Sequence, residues 1–174
     1  HEDGLADFFD GFGGGTSRER ILSIMKDSHI GSYGVIGLIL YFALLYTLLS
    51  SLPLALAGSA ILAGDPFSKG VAEMIINRLP YARKEEEAKN KTVYSRMTTS
   101  EYTFCLFSAL IPMFWLPEPV YYLAGLLPIL VFCSLTYLMK KKIQGYTGDC
   151  CGATFLLCEL SFYLGIALIY TTLI

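Results

Sequence analysis

Long runs of apolar residues, interrupted by short polar connections, occupy most of the chain after residue 29. Residues 30–64 contain no Asp, Glu, Lys or Arg, and the segment SSLP at 50–53 divides that run near its middle. This pattern predicts two helices joined by a tight turn, the first over about 33–49. The second begins near Pro53, since proline suits a first helical turn.

The pattern leaves the end of the second helix open. Apolar residues recur at helical spacing over 67–79, after Asp65 and Pro66 have interrupted the uncharged run. This segment either continues the helix into the headgroup region or lies flat as an amphipathic helix, and a kink at Pro66 would reconcile the two. In both cases the polar face of 67–79 lies in water or among lipid headgroups.

Three further apolar segments follow a charged loop over 80–101. They cover 102–117, 119–139 and 152–174, and we interpret each of them as a further membrane span. The sequence therefore predicts an all-α fold: a polytopic helical bundle in the membrane with about five transmembrane helices. We expect one membrane-embedded domain over 1–174.

The composition supports a membrane protein. Apolar residues make up 54% of the chain and charged residues 16%, whereas soluble domains carry about 25% charged residues. The same figures exclude a disordered chain, and 13 basic against 15 acidic residues argue against a nucleic-acid binder. Five cysteines without a C-x-x-C pair do not suit a disulfide framework or a thiolate metal site.

The basic residues lie on one side of the predicted bundle. All 13 Lys and Arg fall within 18–26, 69–96 or 140–142, whereas the opposite connections near 50–53 and 116–119 have none. Because cytoplasmic connections carry the excess of Lys and Arg, the polar face is predicted to be cytoplasmic. The charged segment 80–101 is then a cytoplasmic loop.

The first candidate for chemistry is a set of acids near the start of the chain. Asp3, Asp7 and Asp10 are spaced i, i+4, i+7, which places them within about 60° of one another on a helix. Like charges at this spacing destabilise a helix. A divalent cation would offset the repulsion, and ligation by oxygen alone favours Mg²⁺ or Mn²⁺. The alternative is a solvated acidic first turn that the helix dipole stabilises.

Basic residues follow these acids closely. Three glycines at 13–15 end the acidic helix, and Arg18, Arg20 and Lys26 come directly after them. A metal and several cations beside a polar loop suit the binding and cleavage of a pyrophosphate. The alternative is that the cations only anchor the chain at the membrane surface. We interpret 1–29 as an active-site segment, although it lacks the G-K-[ST] element of a P-loop.

Four stretches of the chain match a known family in order and spacing. They read HEDGLADFFDG at 1–11, RILSIMKDSHIGSYG at 20–34, LPYAR at 79–83 and GYTGDCCGA at 145–153, with Glu159 beyond them. On these residues the chain resembles the adenosylcobinamide-GDP ribazoletransferases, commonly called cobalamin synthases. The resemblance covers essentially the whole chain.

The resemblance implies an enzyme of the last steps of cobalamin (vitamin B12) assembly. Such transferases join adenosylcobinamide-GDP to α-ribazole or its 5′-phosphate and release adenosylcobalamin or its 5′-phosphate together with GMP. The resemblance also implies the inner (cytoplasmic) membrane of a prokaryote. Members of the family have further membrane-embedded sequence before the acidic motif, so we expect this chain to lack upstream N-terminal sequence. The number of copies that assemble is not set by the sequence, and a homo-oligomer is compatible with it.

We assign the residues that match the family's motifs to this chemistry as hypotheses. The metal ligands are Asp3, Asp7, Asp10 and Glu2, the catalytic groups are Asp27 and Asp149, and the phosphate-binding residues are Arg20, Lys26 and Arg83. Asp27 is either a further metal ligand or the general base. Asp149 has an alternative role as the N-cap of the last helix. Glu159 either makes a structural hydrogen bond or contacts the substrate, and the sequence favours neither role.

Two other functions fit parts of the pattern. A CDP-alcohol phosphotransferase also uses spaced aspartates and Mg²⁺, and Asp7-x-x-Asp10-Gly11 fits the opening of its motif, but the Ala-Arg pair that should follow is missing. A non-enzymatic cation transporter would need carboxylates along its spans. The acidic cluster lies outside the uncharged segments instead.

Overall fold

The computed structural model describes residues 1–83 and 96–173, and within them the regular structure is helical. The α-helices, in chain order, are α1 Glu2–Gly14, α2 Arg18–Ile24, α3 Ser32–Ser50, α4 Leu54–Glu73, α5 Ile75–Arg78, α6 Thr99–Leu110, α7 Leu126–Ile143 and α8 Gly148–Leu173. Two short 3₁₀-helices, Ile111–Trp115 and Pro119–Gly125, connect α6 to α7. The predicted all-α class is confirmed for the part of the chain that the structure describes.

The acidic helix α1 packs between α3 and α8. Gly4 makes this possible, because a Cβ atom there would lie only 3.0 Å from Cα of Asp149 in the first turn of α8. Glycine is the residue that lets two backbones approach this closely. The first turns of α1 and α8 therefore meet, and they bring the acids of α1 beside Asp149.

Helix α4 runs unbroken through Pro66 and ends at Glu73. Of the two alternatives for 67–79, the continued helix is correct as far as Glu73, and the short α5 follows it directly. α4 packs along α8, and Gly64 lies at the contact, where a Cβ atom would be 2.8 Å from the rings of Phe162 and Tyr163. Small residues of this kind let membrane helices pack closely.

Three helical segments are long and apolar enough to cross a membrane: Ser32–Ser50, Pro119–Ile143 and Gly148–Thr172. They coincide with the predicted spans at 33–49, 119–139 and 152–174. The chain is thus a helical membrane protein, and the last helix begins four residues earlier than predicted. The count of five spans stays a prediction.

The charged loop predicted over 80–101 is shorter than expected. Residues 84–95 lie outside the described residues, and α6 already begins at Thr99. The reason is a capping box: the Thr98 hydroxyl accepts from the Glu101 backbone N–H, and the Glu101 carboxylate accepts from the Thr98 N–H at 2.7 Å. These reciprocal bonds start a helix and hold the pKa of Glu101 below its usual value.

Two glycines inside helices give a matched test of the packing. In α8, a Cβ atom at Gly165 would lie 2.9 Å from both Cα and Cβ of the buried Ala124, whereas nothing lies within 4 Å of a Cβ atom at Gly58 in α4. We expect Gly165→Ala to destabilise the protein by about 1–3 kcal/mol through overpacking. Gly58→Ala should be neutral or stabilising by up to about 1 kcal/mol, because alanine favours a helix. Thermal unfolding in detergent measures both, and equal effects would contradict the packing of α8 on Ala124.

Candidate functional site

The structure places the three spaced aspartates on one helix, as predicted. All of them lie on α1, where Asp3 is exposed and Asp7 and Asp10 are buried. Glu2 begins the same helix and is also exposed. Within residues 1–83 and 96–173, no three His, Cys, Asp or Glu side chains are grouped as ligands of a single ion. The metal role of these acids stays a prediction.

Asp10 has a structural partner that the sequence did not reveal. One carboxylate oxygen accepts from the Gly31 N–H at 2.7 Å and the other from the Gly34 N–H at 2.8 Å. Gly31 immediately precedes α3, so Asp10 satisfies N–H groups that a helix start leaves without partners and interacts favourably with its dipole. A Cβ atom on Gly31 or Gly34 would lie within 2.5 Å of the Asp10 carboxylate. This close contact explains why glycine occupies both positions.

A cavity of about 550 Å³ lies beside α2 and is lined by more basic than acidic groups. Its charged lining residues are Arg18, Lys26 and Arg83 with Glu19 and Asp27. Two of the three residues predicted to bind phosphate, Lys26 and Arg83, thus share one cavity. An anion is the ligand that such a lining favours.

Arg18 links separate parts of the chain at the edge of this cavity. Its Nε donates to the carbonyl oxygen of Ile143 at 2.9 Å, and its Nη2 donates to that of Ala82 at 2.7 Å. The side chain therefore joins the start of α2 to the end of α7 and to the residue before Arg83. The sequence marked Arg18 as one of three nearby cations but did not assign it to the site. Its partners lie far along the chain, and no local pattern indicates them.

Arg83 is held in place by a short pairing of two backbone segments. The Ala82 N–H donates to the carbonyl oxygen of Tyr146 at 2.8 Å, and the Tyr146 N–H donates to that of Pro80 at 3.0 Å. Gly145 permits the contact, because a Cβ atom there would lie 2.5 Å from the Pro80 oxygen. The motifs LPYAR and GYTGD are thereby brought side by side.

The guanidinium of Arg83 is buried, and among the described residues its charged partner is Asp149. Nη2 of Arg83 lies 3.6 Å from Oδ2 of Asp149, which is an ion-pair distance but too long for a hydrogen bond. Among the described residues, Nε and Nη2 of Arg83 have no hydrogen-bond partner. Buried groups with unused donors are rare in proteins and require an explanation. A bound anion would supply the missing acceptors.

Asp149 lies inside the first turn of α8, which begins at Gly148. It is not the cap, because the hydroxyl of Thr147 accepts from the Cys150 N–H at 3.3 Å. The alternative role as an N-cap is therefore wrong for Asp149, and Thr147 fills that role. A carboxylate at this position still interacts favourably with the helix dipole, and it leaves Asp149 directed at Arg83.

Arg20 lies in a separate, neighbouring cavity of about 360 Å³. That cavity is also lined by Asp10 and His29, and it shares Ser23 and Asp27 with the larger one. The predicted set of Arg20, Lys26 and Arg83 is therefore divided between two adjoining cavities. Their shared wall is the polar face of α2 and the turn after it.

Asp27 stands between the two cavities as an ionised group. Its Oδ1 atom lies 2.7 Å from Nδ1 of His29 and accepts from the His29 backbone N–H at 3.1 Å. The side-chain bond first, and then the backbone bond, hold the pKa of Asp27 below its usual value. The lowered pKa keeps Asp27 deprotonated and also makes it a weaker base than an ordinary carboxylate.

Glu159 forms a hydrogen bond within its own helix. The hydroxyl of Tyr163 donates to Oε1 of Glu159 at 2.7 Å. Of the two roles predicted for Glu159, the structural hydrogen bond is present in the structure.

Taken together, these observations define a helical membrane protein whose helix ends enclose a cavity suited to an anion. The chain belongs to the cobalamin-5-phosphate synthase family, whose model matches residues 1–167. A protein of Shewanella sp. (strain W3-18-1) is 41% identical over 171 residues, which cover 94% of this chain and 64% of the relative. A protein of Polaromonas sp. (strain JS666 / ATCC BAA-500) is 35% identical over 195 residues, which cover 96% of this chain and 66% of the relative. Both relatives are named adenosylcobinamide-GDP ribazoletransferase.

The chain thus spans less than two thirds of the length of the Shewanella relative. No solved structure matches the chain.

The contact between Asp10 and α3 leads to a stability test. Asp10→Ala leaves the N–H groups of Gly31 and Gly34 without their acceptors, so we expect a loss of about 1–3 kcal/mol in the free energy of unfolding. Asp3→Ala, on the same helix but exposed, should change it by no more than about 0.5 kcal/mol. Chemical unfolding in detergent compares the two, and a similar loss in both would contradict the capping role of Asp10.

Proposed function

We propose that this protein is a membrane transferase that joins adenosylcobinamide-GDP to α-ribazole or α-ribazole 5′-phosphate. The products are adenosylcobalamin or its 5′-phosphate, and GMP. Family membership over residues 1–167 and the names of the relatives support this assignment.

The observation that carries the proposal is the buried Arg83 in a cavity that Arg18 and Lys26 also line. A substrate with a diphosphate presents several acceptor oxygens and a negative charge. Arginine forms charge-assisted, often paired, hydrogen bonds to such oxygens. A diphosphate in this cavity would therefore bind the donors of Arg83 that have no partner among residues 1–83 and 96–173, and it would offset the buried charge.

The proposed reaction is a transfer at one phosphorus atom. A ribose hydroxyl oxygen of ribazole forms a bond to the phosphorus attached to cobinamide, and the bond from that phosphorus to the bridging oxygen breaks. GMP leaves with the bridging oxygen, and the hydroxyl proton passes to a base. Catalysis of such a transfer depends on positioning and on stabilising the negative charge.

Two carboxylates are proposed for the remaining roles. Asp27 lines both cavities and is proposed to accept the hydroxyl proton as the general base. Asp149 lies at 3.6 Å from Arg83 and is proposed to orient that guanidinium towards the phosphates. Lys26 would bind further phosphate oxygens, and Arg18, which also lines this cavity, would add positive charge near them. Arg20, in the adjoining cavity, is proposed to contact the second substrate.

We also propose that the reaction requires Mg²⁺. Mg²⁺ is commonly held by one or two carboxylates together with substrate phosphates and water, so a group of three protein ligands is not needed. Asp3 and Asp7, one turn apart on α1, with Glu2 beside them, are the residues that would hold it. Asp10 is engaged with α3. When bound, the ion would neutralise charge on the phosphoryl oxygens.

The orientation of the protein is part of the proposal. The cavities lie at the helix ends that carry the basic residues of 18–26 and 140–142, and such ends face the cytoplasm. We therefore propose an integral protein of the inner membrane with its active site open to the cytoplasm, where nucleotide-linked substrates are dissolved.

Replacing Arg83 tests the proposed function. With adenosylcobinamide-GDP and α-ribazole supplied, we expect the protein to release GMP. Arg83→Gln should lower kcat/KM by about 10–100-fold, the range for a lost hydrogen bond to a charged group. Mass spectrometry of the products measures the rate and identifies the nucleotide.

Arg96→Gln is the matched control, since Arg96 is exposed and lines neither cavity; its activity should stay within about two-fold of the parent. Release of CMP from a CDP-alcohol in place of GMP would overturn the assignment of the substrate. Equal activity of Arg83→Gln and the control would overturn the role of the cavity.

Replacing Asp7 tests the metal. Asp7→Asn keeps the size of the side chain and removes its charge, so we expect Mg²⁺-dependent turnover to fall by more than ten-fold, which corresponds to about 1.4 kcal/mol of barrier. Raising the Mg²⁺ concentration should recover part of the loss. Activity is measured as GMP release at increasing Mg²⁺.

The control for this change is Glu118→Gln, on the opposite connection and exposed. Turnover of Asp7→Asn within ten-fold of this control, in a protein that stays inserted and folded, would show that Asp7 does not hold the metal.

A further inference from the structure

A second, apolar crevice lies between α4, α6 and α7, away from the cavities beside α2. It has a volume of about 340 Å³, and its inner lining includes Phe67, Ala109, Leu110, Ile129 and Phe132. It shares no lining residue with the cavities that contain Arg83 or Arg20. The proposed transferase chemistry therefore makes no use of this crevice.

The crevice continues into a polar mouth. A neighbouring cavity of about 360 Å³ has four lining residues in common with it: Met74, Arg78, Met97 and Tyr102. The mouth adds Asn77, Thr98 and Thr99. Asn77 fixes its shape, because its Oδ1 accepts from the Met97 N–H at 3.0 Å and its Nδ2 donates to the Met97 carbonyl oxygen at 3.4 Å.

The length of this combined groove fits one leaflet of a bilayer. The wall formed by α6 has 12 residues, which is about 18 Å at 1.5 Å per residue. Half of a hydrocarbon core is about 15 Å. The polar mouth is at the start of α6 and the apolar end is at Leu110. The groove is therefore polar at one end and apolar at the other, as a membrane lipid is.

The charge at the mouth indicates which kind of ligand the groove would bind. Among the described residues that line the crevice and its mouth, Arg78 is the charged one. Its guanidinium lies 5.3 Å from the centre of the Phe132 ring, at a distance that suits a cation–π contact. This contact holds a positive charge over the apolar crevice. A ligand with an anionic head and a hydrocarbon tail complements both parts.

We propose that this groove binds an anionic phospholipid, with an acyl chain in the crevice and the phosphate at Arg78. The apolar length favours a lipid over a free phosphate or nucleotide, which would leave the crevice empty. The single cation favours an anionic headgroup over a zwitterionic one.

The test uses the full chain in nanodiscs that contain equal amounts of phosphatidylglycerol and phosphatidylcholine. After mild extraction, native mass spectrometry counts the lipids that remain on each protein. We expect phosphatidylglycerol to be retained in preference to phosphatidylcholine. Arg78→Gln should retain about five-fold less phosphatidylglycerol, the factor expected for one basic residue facing an anionic lipid. Lys140→Gln, an exposed change at the end of α7, is the matched control and should retain as much as the parent.

Cys105→Trp provides a second variant, because it fills the crevice that Cys105 lines and leaves Arg78 in place. We expect this variant to lose phosphatidylglycerol while circular dichroism shows an unchanged helix content. The proposal is overturned if the parent retains the two lipids equally, if Arg78→Gln matches Lys140→Gln, or if the crevice is occupied by a second copy of the chain. The comparison of lipids on the parent protein requires no variant, so equal retention overturns the proposal even if a variant fails to fold.

Discussion

The burial of one guanidinium constrains the whole end of the bundle where the candidate site lies. A charge out of water is costly unless charged and polar partners surround it. For Arg83 the described partner is Asp149, and the backbone pairing of Ala82 with Tyr146 fixes the distance between them. Arg18 completes the arrangement by binding the Ala82 carbonyl oxygen. Three separate parts of the chain must therefore be correctly placed before the cavity exists.

Close backbone contacts keep this arrangement compact. Gly4 allows α1 to reach Asp149, Gly145 allows the turn after α7 to reach Pro80, and Gly31 and Gly34 allow Asp10 to reach α3. Each of these positions would place a Cβ atom at or below 3.0 Å from a neighbour, a distance that real side chains avoid. The small residues thus set the distances on which the electrostatics of the site depends.

The sequence predicted features that arise from local periodicity. It predicted α3 to within one residue at each end, and it placed Asp3 and Asp7 on one helix because helical spacing is a local property. It could not predict the contact of Arg83 with Asp149, the bonds of Arg18, or the acceptor role of Asp10, because their partners are distant along the chain. Helix α4 also passes Pro66, where tertiary packing against α8 outweighs the missing hydrogen bond.

The central claim is that a diphosphate binds the Arg83 donors that lack a partner in the described part of the chain. The most direct measurement is a structure of the protein with adenosylcobinamide-GDP bound. We predict that diphosphate oxygens lie within hydrogen-bond distance of the Arg83 guanidinium, between Arg18 and Lys26. A diphosphate bound elsewhere, with Arg83 still facing Asp149 alone, would contradict this account.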